Sequence, residues 1–313
     1  MKWKNIKTLL IILFTAVTVY LSVMIGIRYR ETYYISDQVM RDAIELLGNA
    51  GIKVSEEIIP KKLTKYDVVE GEYSKNYFAD NTGISSKFDD FTSYATPTGS
   101  IKYINNVNGS AYEHFSPFGI VYQKTTDSIA GVDYKYEISD SDVEIDVKTI
   151  ESKVKNEMIE LFGSGTVSRE SGSGFSVRVM SAYHDQILGI YKVNLIQTVN
   201  GCEIYGNNLY VEIDASGLTY LSGNMILNKS HSSYTADLYD QINILFIEKS
   251  HLDSSEEETE GKIDKTVTGM ETVYCVTWSY DRSKFYLIPS WKIVYADGTD
   301  SIINAINGKV YVD

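Results

Sequence analysis

The chain opens with a long apolar run between two basic flanks. Residues 8–27 carry no charge, three lysines precede them, and Arg28 and Arg30 follow. Twenty helical residues rise about 30 Å, the thickness of the hydrocarbon core of a bilayer. A cleaved signal peptide has a shorter apolar core and a small-x-small cleavage site, which this run lacks. The pattern therefore predicts an uncleaved transmembrane helix with the bilayer as partner.

The charges around this run predict its orientation. The N-terminal flank is the more basic, which favours a cytoplasmic N-terminus and an extracytoplasmic body at the cell membrane. Residues 28–313 have a net charge of −16, since the −13 of the whole chain includes three N-terminal lysines. An acidic body is a poor partner for nucleic acid or anionic lipid.

One face of the predicted span consists of small residues. Thr15, Thr18, Ser22 and Gly26 lie at i, i+3, i+7 and i+11. Small side chains let transmembrane helices approach closely, so these four residues are a candidate helix contact face. The alternative is that Thr, Ser and Gly are merely tolerated in a span, and the pattern favours neither.

A helical pattern follows the apolar run. Ser36 is a candidate N-cap. An apolar stripe at spacings of three and four residues comes after it, and Gly48 or Gly51 can end the helix. The residues of the stripe are Val39, Ala43, Leu46, Leu47 and Ala50. From residue 63 to 136, polar turns separate short aromatic-rich strands, and their boundaries are weakly marked.

The C-terminal half has two similar patterns of one helix followed by four strands. The first has a helical stripe from Ile150 to Phe162. The second has a stripe from Leu238 to Phe246, with Thr235 as candidate N-cap. The predicted strands are 175–182, 188–199, 208–214 and 218–225 in the first copy, and 266–280, 285–295, 300–305 and 309–312 in the second. Asn-Gly, Asp-Gly and Ser-Gly pairs mark the hairpin turns.

These patterns predict an α+β fold, in which an N-terminal transmembrane helix precedes tandem helix-on-antiparallel-sheet modules. The predicted domains are the cytoplasmic stub and anchor (1–30), an N-terminal extracytoplasmic α+β domain (31–145) and two helix-plus-four-strand modules (146–232 and 233–313). The abundance of tyrosine, 25 residues, and the scarcity of proline, 4 residues, suit such strands.

The composition gives no sign of a metal or cofactor site. The two cysteines, Cys202 and Cys275, fit no metal motif, and two free thiols are expected. The four histidines lack ligand spacing. We therefore predict no metal and no cofactor.

Three segments together resemble a known family. They are Trp3 to Thr8 running directly into the apolar span, the strand–turn–strand segment Gln197 to Asp214, and Pro289 to Val310 at the end of the chain. They resemble YycI-type regulatory proteins of the WalK/WalR two-component system, and the last segment also looks like PepSY modules. The resemblance implies a membrane-anchored, extracytoplasmic regulator of a sensor histidine kinase, acting by contact with the kinase and a YycH-like sister protein. It implies no catalytic residue.

The alternative function is a tethered PepSY-like module that binds wall material or peptide, or inhibits a peptidase, because an open sheet can hold an extended ligand. An exported hydrolase would rest only on scattered Ser, His and Asp, such as His184-Asp185 at a strand end. No nucleophile elbow, P-loop or zinc-peptidase motif is present, and we predict a protein that is not an enzyme. Asp140, Asp142 and Glu144 lack the glycine and spacing of a calcium loop.

Overall fold

The structure is a computed structural model that describes residues 14–27, 34–62, 65–73, 91–95, 101–106, 109–115, 119–124, 139–163, 167–168, 174–256, 264–280 and 283–311. The described part is mostly β-sheet. Its helices are α1 (14–27), α2 (Asp37–Asn49), α3 (Val147–Phe162) and α4 (Gln241–Glu256). Its strands are β1 (Ile52–Lys53), β2 (Asp67–Tyr73), β3 (Phe91–Ala95), β4 (Ile101–Asn105), β5 (Ala111–Phe115), β6 (Gly119–Gln123), β7 (Asp142–Glu144), β8 (Phe175–Asp185), β9 (Ile190–Val199), β10 (Cys202–Asp214), β11 (Gly217–Asn224), β12 (Asn228–Thr235), β13 (Lys265–Trp278), β14 (Lys284–Tyr295), β15 (Asp300–Asn304) and β16 (Val310–Tyr311).

The predicted fold class, α+β with an N-terminal transmembrane helix followed by tandem helix-on-antiparallel-sheet modules, was wrong. No helix among the described residues is long and apolar enough to cross a membrane. Residues 8–13 of the predicted span lie outside the described residues. The described residues 14–27 of that span form α1. In addition, β13 pairs in parallel with β1 and with β10, which antiparallel modules do not do.

Hydrogen bonds from capping side chains mark where α2 and α4 begin, whereas the predicted apolar stripe of α2 is only partly buried. Ser36 caps α2 as predicted, since its hydroxyl accepts the backbone N–H of Val39 at 3.3 Å. The predicted stripe on α2 was partly wrong, because Val39 and Leu46 are exposed and Met40 is buried instead. The predicted cap of α4 was also wrong, because Thr235 ends β12. The carboxylate of Asp240 accepts the N–H of Asn243 at 2.8 Å in the first turn of α4.

Two glycines with positive φ shape β10: Gly201 in the turn before it and Gly206 within it. Asn200 and Gly201, between β9 and β10, both have positive φ, 49° and 83°, as the predicted two-residue hairpin turn requires. Strand β10 begins at Cys202, six residues before the prediction. Its register against β9 shifts between Glu203 and Asn208, and Gly206 has a φ of 78° there. The predicted start of this strand at residue 208 was wrong, because the irregularity at Gly206 interrupts β10 without ending it.

The chain divides into two compact units, each made of separate segments. Unit 1 comprises Met1–Tyr66, Thr235–Glu271 and Ser290–Asp313. In unit 1, α4 contacts α2 and β15, and the end of β14 pairs with β15, which pairs with β16. The apolar faces of these elements form one core, to which Met40, Leu47, Ile244, Leu245, Val267, Trp291, Ile293 and Ile303 belong.

Unit 2 comprises Asp67–Tyr234 and Thr272–Pro289. Nine of its strands pair antiparallel in the order β7-β8-β9-β10-β11-β6-β5-β4-β3, and β13 pairs in parallel with β10. Helix α3 contacts β8 and contributes buried side chains to the core over the sheet. This core includes Val154, Met158, Phe162, Val177, Val193, Leu195, Val211 and Leu221. The sheet and helix hold the hairpin of β8 and β9 in place.

Candidate functional site

The hairpin of β8 and β9 ends in residues 186–189, which we call the tip loop. Ile187 and Leu188 lie side by side in it, and they are 81% and 64% exposed. Gly189 closes the loop with a φ of 68°, a conformation that side chains with a Cβ disfavour. Exposed apolar side chains in water do not stabilise a fold, and contiguous ones are candidates for contact with a partner.

Asp185 fixes the shape of the tip loop. Its Oδ1 accepts the backbone N–H groups of Ile187 and Leu188, both at 3.0 Å, and the hydroxyl of Ser141 at 3.2 Å. The carbonyl oxygen of Asp185 accepts the N–H of Gly189 at 2.8 Å. Asp residues stabilise turns in this way because the carboxylate replaces a backbone acceptor. The buried carboxylate of Asp185 therefore orders the loop together with backbone hydrogen bonds, among them the N–H of Gln186 to Ser141 O at 3.3 Å.

Lys192 of β9 forms an ion pair with this carboxylate. Its Nζ lies 2.9 Å from Asp142 Oδ2 and 3.4 Å from Asp185 Oδ2. The side chains of Lys192, Asp142 and Asp185 are only 13%, 0% and 4% exposed. Asp142 also accepts the backbone N–H of Ser139 at 2.7 Å. We call Asp142, Asp185 and Lys192 the buried ion triad, and it joins β7, β8 and β9 under the tip loop.

The triad is charged at neutral pH. The N–H of Leu188 is the largest cause of the lowered pKa of Asp185. Burial raises the pKa of Asp142, but the hydrogen bonds from Lys192 and Ser139 outweigh it, and the net shift is downward. Burial likewise lowers the pKa of Lys192, but the hydrogen bond with Asp142 and its charge outweigh it, and the net shift is upward. Two carboxylates and one ammonium leave one net negative charge.

The predicted contact face lies on α1. Thr15, Thr18, Ser22 and Gly26 are all exposed on this helix, and their spacing places them on one side of it. The hydroxyl of Thr18 donates to the carbonyl oxygen of Phe14 at 2.8 Å, within the helix. The role of this face in helix contact stays a prediction.

The weak catalytic and metal candidates are not assembled into sites. His184 stacks on Tyr191 with ring centroids 4.6 Å apart, while the Asp185 carboxylate faces the loop and Lys192. The described residues contain no group of three His, Cys, Asp or Glu side chains that could hold a metal ion. Cys202 is half-buried and Cys275 buried, and no disulfide joins them in the part of the chain that the structure describes.

Sequence reasoning missed the tip loop because it placed Leu188 in a strand, whereas β9 begins at Ile190. The signal was present in Asp185 followed by Gly189, an aspartate and a glycine that bracket a turn. The pairing of Lys192 with Asp142, 50 positions earlier, has no local signal.

One family model matches a segment that includes this hairpin. Residues 176–224, which span β8 to β11, match the family described as the Fungalysin/Thermolysin Propeptide Motif. The match covers a minor part of the chain. The chain has no match among the curated proteins.

One solved structure, an uncharacterized protein from Eubacterium rectale ATCC 33656, is similar to this chain with a TM-score of 0.43 and 12% identity. The likeness covers 85% of this chain and 92% of that chain. At this TM-score the likeness supports no assignment of fold or function.

Proposed function

We propose that the chain is a peptidase-binding module and that the tip loop makes the contact. The observation that carries the proposal is the coincidence of two features in one hairpin. The segment that matches a peptidase propeptide motif, 176–224, also exposes Ile187 and Leu188 on a loop fixed by Asp185. This function is the peptidase-inhibitor alternative of the sequence analysis.

The geometry of the loop suits binding. Ordering a loop on binding costs free energy, and a loop that is already ordered avoids that cost. Fully burying an exposed Ile or Leu side chain contributes about 1.5–3 kcal/mol, so two of them in an interface favour binding. The side chains of Ile187 and Leu188 are available for this, since neither is needed in the core of unit 2.

The test uses thermolysin, which the family description names. The full chain is titrated into thermolysin during hydrolysis of a short fluorogenic peptide, and gel analysis checks that the chain is not simply digested as a competing substrate. We expect saturable inhibition by the wild-type chain. The variant Ile187→Ser/Leu188→Ser should inhibit at least about tenfold more weakly, because it removes both apolar groups.

Met180→Ser is the matched control. Met180 is 53% exposed on β8 of the same hairpin, so this change also removes exposed apolar surface. It should inhibit as the wild type does. Absence of inhibition by the wild-type chain, or equal inhibition by the tip-loop variant, would sink the proposal.

The predicted role as a regulator of a sensor histidine kinase is a second proposal, and the sequence resemblance alone supports it. Under it, Thr15, Thr18, Ser22 and Gly26 contact a helix of the kinase or of a YycH-like protein. Ser22→Leu/Gly26→Leu would then weaken co-purification of the partner after cross-linking in cells, while the melting temperature stays unchanged. Unchanged co-purification would contradict the helix contact.

A further inference from the structure

Unit 1 contains a pocket of about 210 Å³ that the proposed function does not use. It lies between α4 and the strands β14, β15 and β16, and the start of β13 also lines it. Leu252, Ile302 and Val310 give it apolar walls. A concave, mostly apolar pocket with a few polar groups is the usual form of a small-ligand site.

A buried carboxylate lies in this pocket. Glu248 of α4 is only 2% exposed. Its two oxygens accept hydrogen bonds from the hydroxyls of Tyr295 and Ser301, the latter at 2.9 Å. Both donors are neutral, and no cation of the described residues pairs with Glu248. A buried carboxylate is stabilised most strongly by a cationic partner.

A buried ring nitrogen lies one turn further along α4. His251 Nδ1 is buried and has no hydrogen-bond partner among the described residues. In the neutral tautomer that carries its proton on Nε2, this Nδ1 is an acceptor. The nearby ammonium of Lys265 is already engaged, because it lies 2.6 Å from Asp297 Oδ2 and 5.2 Å from the centroid of the Tyr295 ring.

We propose that this pocket binds an aliphatic ammonium group, supplied by a free alkylamine or by a lysine side chain of a peptide. The carbon chain lies against Leu252, Ile302 and Val310, and the ammonium donates to Glu248 and to His251 Nδ1. A divalent metal is a poorer occupant, because no three acidic, His or Cys side chains of the described residues are grouped to hold one. The proposal is independent of the tip loop.

The first experiment compares ligands of the same shape and different charge. The full chain is titrated with n-butylammonium, with n-butanol and with Nα-acetyl-lysine methylamide, and binding is followed by ligand-observed NMR. We expect n-butylammonium to bind with a dissociation constant of about 1 mM and n-butanol to bind at least about tenfold more weakly. Binding of the lysine derivative identifies a peptide side chain as a ligand, and its absence restricts the pocket to free amines. Equal binding of n-butanol, or no binding of either amine, overturns the proposal.

The second experiment uses matched variants. Glu248→Gln removes the buried charge with little change of shape and should weaken n-butylammonium binding about tenfold or more. Glu271→Gln removes one negative charge from an exposed residue of the same unit and should leave binding unchanged. Val310→Trp fills the pocket from a different wall and should abolish binding, which keeps the test decisive if Glu248→Gln does not fold. Equal affinities for Glu248→Gln and Glu271→Gln, or undiminished binding by Val310→Trp, contradict the proposal.

Discussion

The carboxylate of Asp185 accepts the backbone N–H of Leu188 at 3.0 Å, from inside the turn that Leu188 helps to form. The same oxygen accepts the N–H of Ile187. One buried atom thus fixes the backbone under the two most exposed apolar side chains of the hairpin. The direction in which Ile187 and Leu188 point therefore depends on a residue that itself cannot reach a partner.

Replacing Asp185 by Ala should disorder the tip loop. The N–H groups of Ile187 and Leu188 lose their acceptor and become open to water, so their protection against hydrogen exchange should fall about tenfold or more. Exchange of these two amides, followed by NMR or mass spectrometry, measures the effect. Asp140→Ala, a change of an exposed acid nearby, is the control and should leave both amides protected. Unchanged protection in the Asp185 variant would show that the loop is ordered by other contacts.

The buried ion triad predicts an acid-sensitive stability. Asp142 and Asp185 have pKa values lowered from about 3.9 in the native state, so the unfolded state binds more protons in acid. The stability that the two carboxylates contribute is therefore complete above about pH 5, and it is lost as the pH falls below about 4. Urea unfolding of the full chain between pH 3 and pH 7 should show this decline.

The variant Asp142→Asn tests the origin of that decline. It keeps the shape of the side chain and removes one of the two titrating carboxyls, so stability should fall less steeply between pH 5 and pH 3. Asp140→Asn makes the same chemical change at an exposed position and should keep the wild-type profile. Identical slopes for Asp142→Asn and the wild type would mean that other carboxyls govern the acid response.

Local chemistry was the predictable part of the fold. Ser36 and the pair Asn200-Gly201 act through hydrogen bonds and φ angles of their own neighbours, and the structure confirms them. The parallel pairing of β10 with β13 depends on contacts between residues about 70 positions apart, such as Glu203 and Val273. The alternation of apolar and polar residues in a strand does not encode such partners.

The candidate site was less predictable than the elements that hold it. His184 and Asp185 stood out in the sequence as candidate catalytic residues. In the structure Asp185 accepts backbone N–H groups of the tip loop, and His184 stacks on Tyr191. Ile187 and Leu188 looked like ordinary strand residues, because exposure is a property of the folded chain. The spacing of Glu248 and His251 places them on one face of α4. The pocket, however, also needs the strands that line it, and the sequence does not show that these strands pack against this face.

A buried side-chain amide ties β9 to the chain after β11. Gln197 is fully buried; its Nε2 donates to Ile226 O at 3.0 Å and its Oε1 accepts Ile226 N–H at 2.8 Å. The Asn207 side chain also donates to this oxygen at 2.8 Å. Gln197→Leu leaves these buried groups without partners and should cost about 2–4 kcal/mol of unfolding free energy. Urea unfolding measures this loss.

The control for Gln197 is Gln38→Leu, on the exposed surface of α2. The same substitution there removes hydrogen bonds to groups that water can satisfy, and it should change the unfolding free energy by less than about 0.5 kcal/mol. A similar loss in both variants would indicate a general effect of replacing an amide with an apolar side chain.

Gly71 of β2 is required by the ring of Phe285 on the paired strand β14. A Cβ at position 71 would lie 2.1 Å from Cζ of Phe285, and that ring is 0% exposed. Gly71→Ala therefore forces a fully buried ring to move, which should cost about 1–3 kcal/mol of unfolding free energy. Chemical unfolding of the variant measures the cost.

A double variant separates this clash from other effects of losing a glycine. Phe285→Leu shortens the side chain that meets the new methyl group, so Gly71→Ala should cost less in the Phe285→Leu background than in the wild type. Gly48→Ala is the control, because a Cβ at position 48 meets nothing within 4 Å, and alanine favours the helix by up to about 1 kcal/mol. If Gly71→Ala costs the same in both backgrounds, the ring of Phe285 is not what requires a glycine at position 71.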